Sequence, residues 1–199
     1  MVRRLVASVI ALFAAAIFVA VSPSAAYADA TRDKQWYLDS LRINKAHTLS
    51  QGAGVTIGLI DGGVDATHSD LKGNIKAGAD FGDSKDSGLH DSDGHGTGMA
   101  SILVAHGHGK GHAQGVMGIA PKAKLISYGI DCDIHCTGRT GSDGVADGIK
   151  WLTDKGVDII SISLGATPSP DAVKYATDKG VAVVASAGND VSDFGPGIG

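Results

Sequence analysis

Glutamate is absent from this sequence, and all 21 acidic residues are aspartate. Any mechanism that requires a catalytic glutamate is therefore excluded. Basic residues are fewer, with 17 lysines and arginines and a formal net charge of −4, so the composition does not favour a nucleic-acid-binding protein. Hydrophobic residues make up 43% of the 199-residue chain, which is enough for the packed core of one globular domain.

Cysteine is also scarce, since the sequence contains only Cys132 and Cys136. The run Cys-Asp-Ile-His-Cys offers three metal ligands, whereas a structural zinc site needs four. In an exported protein we expect the two cysteines to form a short disulfide within a loop, with a metal site as the alternative.

The first 28 residues have the pattern of a secretory signal peptide. Two arginines precede an apolar run from Leu5 to Val21, and Ala26-Tyr27-Ala28 supplies the small residues of a cleavage site. We expect cleavage after Ala28 and a single domain over 29–199. A retained membrane anchor is the alternative, because the apolar run is about as long as a short transmembrane helix. Both interpretations predict an exported protein, either extracellular or associated with the cell envelope.

His95 lies between two glycines in the run Asp93-Gly94-His95-Gly96-Thr97, just before an apolar run. Imidazole titrates near neutral pH, so His95 can take a proton from a nucleophile and return it to a leaving group. Such a histidine needs a carboxylate to orient its ring. Asp61 is the candidate, because it follows the apolar run Val55 to Ile60, which predicts a buried strand. Active sites of open parallel sheets lie at the carboxyl ends of their strands.

The remaining pattern alternates between strands and helices. Further strands are predicted at 125–130, 158–165 and 181–185, and a short one between the two motifs. Helices are predicted at 35–50, at 97–105, from a cap at Ser142 to Gly156, and from Ser169 or Pro170 to Lys179. This alternation predicts an α/β domain with a doubly wound, mostly parallel sheet. A nucleotide-binding domain is a remote alternative, disfavoured because Gly-x-Gly-x-x-Gly does not follow the first strand.

The stretches Ile60 to Asp65 and Asp93 to Ser101 together resemble the aspartate and histidine motifs of the subtilisin-like serine proteases, the subtilases. Ser161 to Gly165 resembles the family's substrate-pocket strand, and Ala185 to Asn189 its oxyanion segment. The resemblance covers roughly 35–189 and implies a three-layer α/β/α sandwich. Sedolisins share this fold but use a catalytic glutamate, so the lack of glutamate disfavours them.

The resemblance implies acyl transfer on a peptide bond, with Asp61 orienting His95 and Asn189 donating to the developing oxyanion. The substrate would be a polypeptide, and this chemistry requires no cofactor. The resemblance further implies that Gly188 allows a tight turn before Asn189. The expected substrate-binding segments are an extended Gly138-Arg139-Thr140, which would pair with the substrate backbone, and Ser163-Leu164-Gly165, which would line the specificity pocket.

The nucleophile of the family lies in a Gly-Thr-Ser-Met-Ala-like motif well after the oxyanion asparagine, and no serine of this sequence has that context. We therefore expect 29–199 to be the N-terminal portion of a subtilase catalytic domain, with the serine beyond Gly199. The 199-residue polypeptide by itself is expected to be inactive. A truncated or degenerate subtilase without turnover is the alternative.

Two groups of residues raise the question of metal binding. The aspartates at 65, 70, 80, 83, 86 and 91 suit calcium by their chemistry, but their spacing matches no cation loop, so a solvated acidic loop is the favoured interpretation. Subtilases often bind calcium through an insertion after the histidine helix, where this sequence instead has His106, His108 and His112 among glycines. These histidines could bind a transition metal, but we expect a mobile surface loop.

The predicted cleavage site lies only six residues before Gln35, so we expect no long propeptide. This layout and the start Trp36-Tyr37-Leu38 are similar to those of the mycosins, subtilases of actinobacterial type VII secretion that carry a C-terminal membrane helix. The resemblance implies association with a membrane or with the secretion machinery.

Overall fold

The computed structural model describes residues 30–81, 87–130 and 139–188. The predicted signal peptide over 1–28, both cysteines and Asn189 lie outside these ranges. Across them, no helix combines the length and the apolar character that crossing a membrane requires.

The described elements alternate along the chain as the sequence predicts. The helices are α1 (Trp36–Ser40), α2 (Ile43–His47), α3 (His95–Val104), α4 (Arg139–Asp154) and α5 (Pro170–Asp178), with a 3-10 helix at Lys110–His112. The strands are β1 (Thr56–Asp61), β2 (Ile75–Asp80), β3 (His106–His108), β4 (Gln114–Met117), β5 (Lys124–Gly129), β6 (Ile159–Ile162) and β7 (Ala182–Ala185).

Five of the strands form a parallel sheet in the order β2-β5-β1-β6-β7. The chain places β2 and β5 on one side of β1 and then β6 and β7 on the other. The carboxyl end of β1 therefore lies where the order of the strands reverses, the usual place for a binding crevice in an open α/β sheet.

Helices cover both faces of this sheet. Leu59 of β1 faces the core under α3, in which Ala100 and Val104 are fully buried. Its neighbour Ile60 faces the opposite core, which α4 and α5 cover. Successive residues of a strand point to opposite faces, so β1 is buried on both sides. The predicted doubly wound α/β fold in three layers is confirmed.

The single helix predicted over 35–50 is in fact two short helices. Arg42, between α1 and α2, has a φ of 55°, and a left-handed residue cannot continue a right-handed helix. Leu38 and Ile43 are buried, but Trp36 is 72% exposed and Leu41 is 64% exposed. The two short helices therefore bury only part of their apolar residues.

Helix α4 begins three residues before the predicted cap at Ser142. The prediction of an extended segment is wrong for Arg139 and Thr140, whose backbone forms the first turn of α4. Gly138 lies outside the described residues. The segment contains no proline that would stop the helix from extending this far.

The histidine-rich stretch after α3 lies at the surface as predicted, but it is a β-hairpin and not a loop. Strands β3 and β4 form an antiparallel hairpin here. Positive φ angles at Gly107, Gly109 and Gly111 allow the tight turn between them. Two residues outside the hairpin hold it in place. Asp70 accepts a hydrogen bond from the backbone N–H of Val116 at 2.8 Å, and Nε of Arg32 donates to the carbonyl oxygen of Gly115 at 2.9 Å.

Candidate active site

Asp61 ends β1 and is fully buried. Its Oδ1 atom accepts two hydrogen bonds, from Nδ1 of His95 at 2.8 Å and from the backbone N–H of Gly62 at 2.8 Å. Its Oδ2 atom is also buried and has no hydrogen-bond partner among the described residues. Burial raises the pKa of Asp61, although the hydrogen bonds from His95 and Gly62 act in the opposite direction.

His95 is the first residue of α3 and projects over the end of β1. Its side chain is 46% exposed, whereas that of Asp61 is 1% exposed, so the pair joins a buried carboxylate to an accessible ring. The hydrogen bond to Asp61 raises the pKa of His95, and burial opposes this only in part. Because Nδ1 donates to the carboxylate, Nε2 is the basic nitrogen of the neutral ring.

The N-terminus of α3 is held by two aspartates that precede it. The carboxylate of Asp91 accepts hydrogen bonds from the backbone N–H groups of Gly94 at 2.9 Å and Thr97 at 2.7 Å, and Asp93 accepts from the N–H of His95 at 2.8 Å. Burial raises the pKa of Asp91, but the hydrogen bonds from Thr97 and Gly94 outweigh it and keep the pKa below its usual value. Carboxylates are favourable at a helix N-terminus because they satisfy its free N–H groups.

The spacing of the aspartates does not predict this role of Asp91, which the sequence places among possible calcium ligands. An aspartate just before a helix start is itself a capping signal, and this signal could have identified Asp91.

Two glycines allow α3 to approach the loop after β1. A Cβ atom at Gly96 would lie 1.9 Å from the carbonyl oxygen of Gly63 and 3.1 Å from Oδ1 of Asp61. Gly63 has a φ of 107°, and a Cβ atom there would lie 2.0 Å from the carbonyl oxygen of His90. A larger residue at Gly96 would push the helix away from β1, and one at Gly63 would displace the backbone at His90, which leads into the helix. The glycines of both motifs therefore set the distance between His95 and Asp61.

The predicted pocket segment lies at the same edge of the sheet. Ile162 of β6 is level with Ile60 of β1, so Ser163, Leu164 and Gly165 follow β6 beside Asp61. The carbonyl oxygen of Leu164 accepts a hydrogen bond from Oγ of Ser186 at 2.8 Å, which links the segments after β6 and β7.

The remaining predicted site residues are placed only in part. Gly188 has a φ of 85°, in agreement with the predicted turn, and Asn189 lies beyond the described residues. The structure brings Asp61 and His95 into contact, while the roles of all these residues stay predictions.

The aspartates considered for calcium have other partners where the structure describes them. Asp65 accepts hydrogen bonds from Thr67, Asp70 contacts His108 and Val116, and Asp91 holds α3. Asp83 and Asp86 fall outside the described ranges. Within those ranges, no three side chains of His, Cys, Asp or Glu are placed to share a metal ion.

Comparison with known proteins defines the family. Residues 52–197 match the profile of Peptidase S8, the Subtilase family. The chain belongs to the subtilases, as its motifs predict.

Two curated relatives and one solved structure show how far the similarity extends. The chain is 35% identical over 134 residues to thermitase from Thermoactinomyces vulgaris, covering 67% of this chain and 46% of thermitase. It is 36% identical over 146 residues to subtilisin DY from Bacillus licheniformis, covering 71% of this chain and 50% of that protein. The chain thus spans about half the length of these relatives. The crystal structure of MycP1 from the ESX-1 type VII secretion system superimposes with a TM-score of 0.66 at 27% identity, covering 79% of this chain and 46% of MycP1. This structural likeness agrees with the predicted similarity to mycosins.

Proposed function

We propose that this chain supplies the aspartate and the histidine of a serine endopeptidase. In this proposal Asp61 orients His95, and His95 transfers protons during hydrolysis of a peptide bond. The observation that carries the proposal is the 2.8 Å hydrogen bond from Nδ1 of His95 to Oδ1 of Asp61, at the carboxyl end of the central strand of a subtilase sheet. No serine of these 199 residues is assigned as the attacking group, because none has the sequence context of the family's nucleophile.

The properties of the pair suit this chemistry. The buried carboxylate fixes the ring tautomer and stabilises the imidazolium that forms when His95 takes a proton. The exposed side of the ring leaves Nε2 accessible to a serine hydroxyl. Because Asp61 raises the pKa of His95, the ring is a stronger base than an isolated imidazole and still returns the proton near neutral pH.

The substrate-side roles rest on the family motifs. We assign Asn189 as a neutral hydrogen-bond donor to the oxyanion, a role whose loss costs about 2.7–4 kcal/mol of transition-state stabilisation in a subtilisin. Ser163, Leu164 and Gly165 line the substrate pocket, since they lie beside Asp61 at the end of β6. Pairing of the substrate backbone with Arg139 and Thr140 is not part of the proposal, because these residues are helical.

We also assign the protein to the cell exterior or envelope, with cleavage after Ala28 and a disulfide between Cys132 and Cys136. The likeness to MycP1 from the ESX-1 type VII secretion system favours association with such machinery. Mass analysis of the exported protein should find a chain that begins at Asp29 and carries no free thiol. An intact Met1 would show that the leader is retained as an anchor.

The enzymatic test uses the full translation product of the gene. The wild-type protein should hydrolyse casein and react with a serine-directed phosphonate, and His95→Ala should lower kcat by about 10⁴-fold or more. His47→Ala is the matched control and should retain full activity, because His47 is a half-buried histidine on α2 whose Nε2 contacts the carbonyl oxygen of Ile119. A wild-type protein that neither cleaves casein nor reacts with the phosphonate would contradict the proposal, and so would near-normal turnover by His95→Ala.

A further inference from the structure

We propose that His106 and His112, together with the carbonyl oxygen of Gly107, bind a divalent transition metal such as Zn²⁺. The three groups belong to the β3–β4 hairpin and are separate from the Asp61–His95 pair. The Nδ1 atoms of the two histidines lie 3.2 Å apart, and their rings are nearly perpendicular at 83°. The Gly107 oxygen lies 2.6 Å from Nδ1 of His106 and 3.1 Å from Nδ1 of His112.

The hydrogen bonds of His106 indicate that the two Nδ1 atoms and the Gly107 oxygen have too few N–H donors to satisfy all three. Its Nε2 atom lies 3.0 Å from the carbonyl oxygen of Lys72, and because a carbonyl only accepts, Nε2 carries the ring proton. Nδ1 of the neutral ring is then an acceptor that faces a second acceptor, the Gly107 oxygen, at 2.6 Å. When His112 carries its ring proton on Nδ1, that proton can be shared between these two acceptors but cannot fully satisfy both. A cation among the three atoms would attract all of them.

The distances suit a tetrahedral metal. With metal–nitrogen bonds of about 2.0–2.1 Å, nitrogens 3.2 Å apart subtend an angle of about 100° at the ion, close to the tetrahedral value. The 3.1 Å separation of His112 Nδ1 and the Gly107 oxygen gives about 95° by the same geometry. The 2.6 Å separation is too small, so the carbonyl must move by a few tenths of an ångström when the ion binds. Water or an external ligand would complete the coordination.

The hairpin holds the two rings in place without a metal. His112 has a φ of 58°, a left-handed conformation that is uncommon outside glycine and is found preferentially at functional sites. The guanidinium of Arg32 donates to the carbonyl oxygens of Gly115 at 2.9 Å, His112 at 3.3 Å and Gln114 at 3.4 Å. This fixed backbone lowers the cost of ordering the ligands.

The charges around the site determine which metals it accepts. The donors are two neutral imidazoles and one carbonyl, and the guanidinium of Arg32 lies close by, on the carbonyl oxygen of His112. Ca²⁺ and Mg²⁺ require several oxygen ligands and gain little from such a set. Zn²⁺, Ni²⁺ and Cu²⁺ form strong bonds to imidazole nitrogen and are the metal ions that we expect to bind.

The third histidine of the hairpin provides a matched control. Nδ1 of His108 lies 2.5 Å from Oδ1 of Asp70, so this ring is held by a carboxylate. We therefore expect Zn²⁺ to bind the protein one to one and to shift the imidazole NMR signals of His106 and His112. The affinity measured by calorimetry should fall about tenfold or more in His106→Ala and in His112→Ala, and change little in His108→Gln. Ca²⁺ should give no comparable binding.

His112 is exposed, so His112→Ala tests the site even where His106→Ala proves unstable. Three results would overturn the proposal: no Zn²⁺ binding at millimolar concentration, unchanged affinity in His112→Ala, or binding that disappears only in His95→Ala, which would place the ion at the candidate active site.

Discussion

Replacing Gly96 with alanine should separate His95 from Asp61 and destabilise the fold. The new Cβ atom would lie 1.9 Å from the carbonyl oxygen of Gly63, while real Cβ contacts do not fall below 3.0 Å. Helix α3 or the loop at Gly63 must therefore shift by about 1 Å. Overpacking of this kind costs about 1–3 kcal/mol, which exceeds the gain of about 0.5–1 kcal/mol that alanine brings to a helix. We expect a net loss of up to about 2.5 kcal/mol in the free energy of unfolding.

Gly98 provides the matched control, because it is exposed in the same helix and a Cβ atom there meets nothing within 4 Å. Gly98→Ala should stabilise the protein by about 0.5–1 kcal/mol. Urea unfolding measures both variants, and their midpoints should move in opposite directions. The NMR signals of His95 should move in Gly96→Ala and stay nearly unchanged in Gly98→Ala. Equal stabilisation by both alanines would refute the close approach of α3 to Gly63.

Three further predictions follow from the contacts. Asp91→Ala removes the acceptor for two N–H groups of α3 and should cost about 0.5–2 kcal/mol in urea unfolding, whereas Asp91→Asn should lose less. Leu152→Ala empties a fully buried position of α4 and should cost about 2–5 kcal/mol, and a loss under about 1 kcal/mol would show that α4 packs less tightly on the sheet. Because His95 has a raised pKa when folded, its pair with Asp61 stabilises the protein fully below the ordinary histidine pKa and loses that effect as the pH rises through the folded value. The stability of wild type relative to Asp61→Asn should therefore fall over that range, and a difference that does not vary with pH would contradict the pairing.

The sheet and the catalytic pair could be predicted from sequence because their signals are local. An unbroken apolar run predicts β1, and the general rule for open sheets places Asp61 at its carboxyl end. The start of α3 follows from glycines and aspartates around His95. These patterns were enough to predict that Asp61 and His95 share one edge.

The features that sequence analysis missed depend on single dihedral angles or on distant contacts. The left-handed Arg42 divides the first predicted helix, and no apolar pattern indicates it. The β3–β4 hairpin depends on Arg32 and Asp70, which lie 83 and 46 residues from their partners Gly115 and Val116. Such long-range hydrogen bonds leave no periodic signal, and the glycine-rich sequence alone predicts a loop.

The most direct test of the proposed catalytic role measures the ionisation of His95 in two ways on the full translation product. The pKa of His95 is measured by NMR, and the pH dependence of kcat/KM for a peptide substrate is measured in parallel. The rate should rise with a kinetic pKa equal to that of His95. In Asp61→Asn both values should fall together, because the anionic partner is lost, and kcat/KM should drop about 10⁴-fold. A kinetic pKa that differs from that of His95, or that stays fixed when the NMR value moves, would contradict the assignment of His95 as the general base.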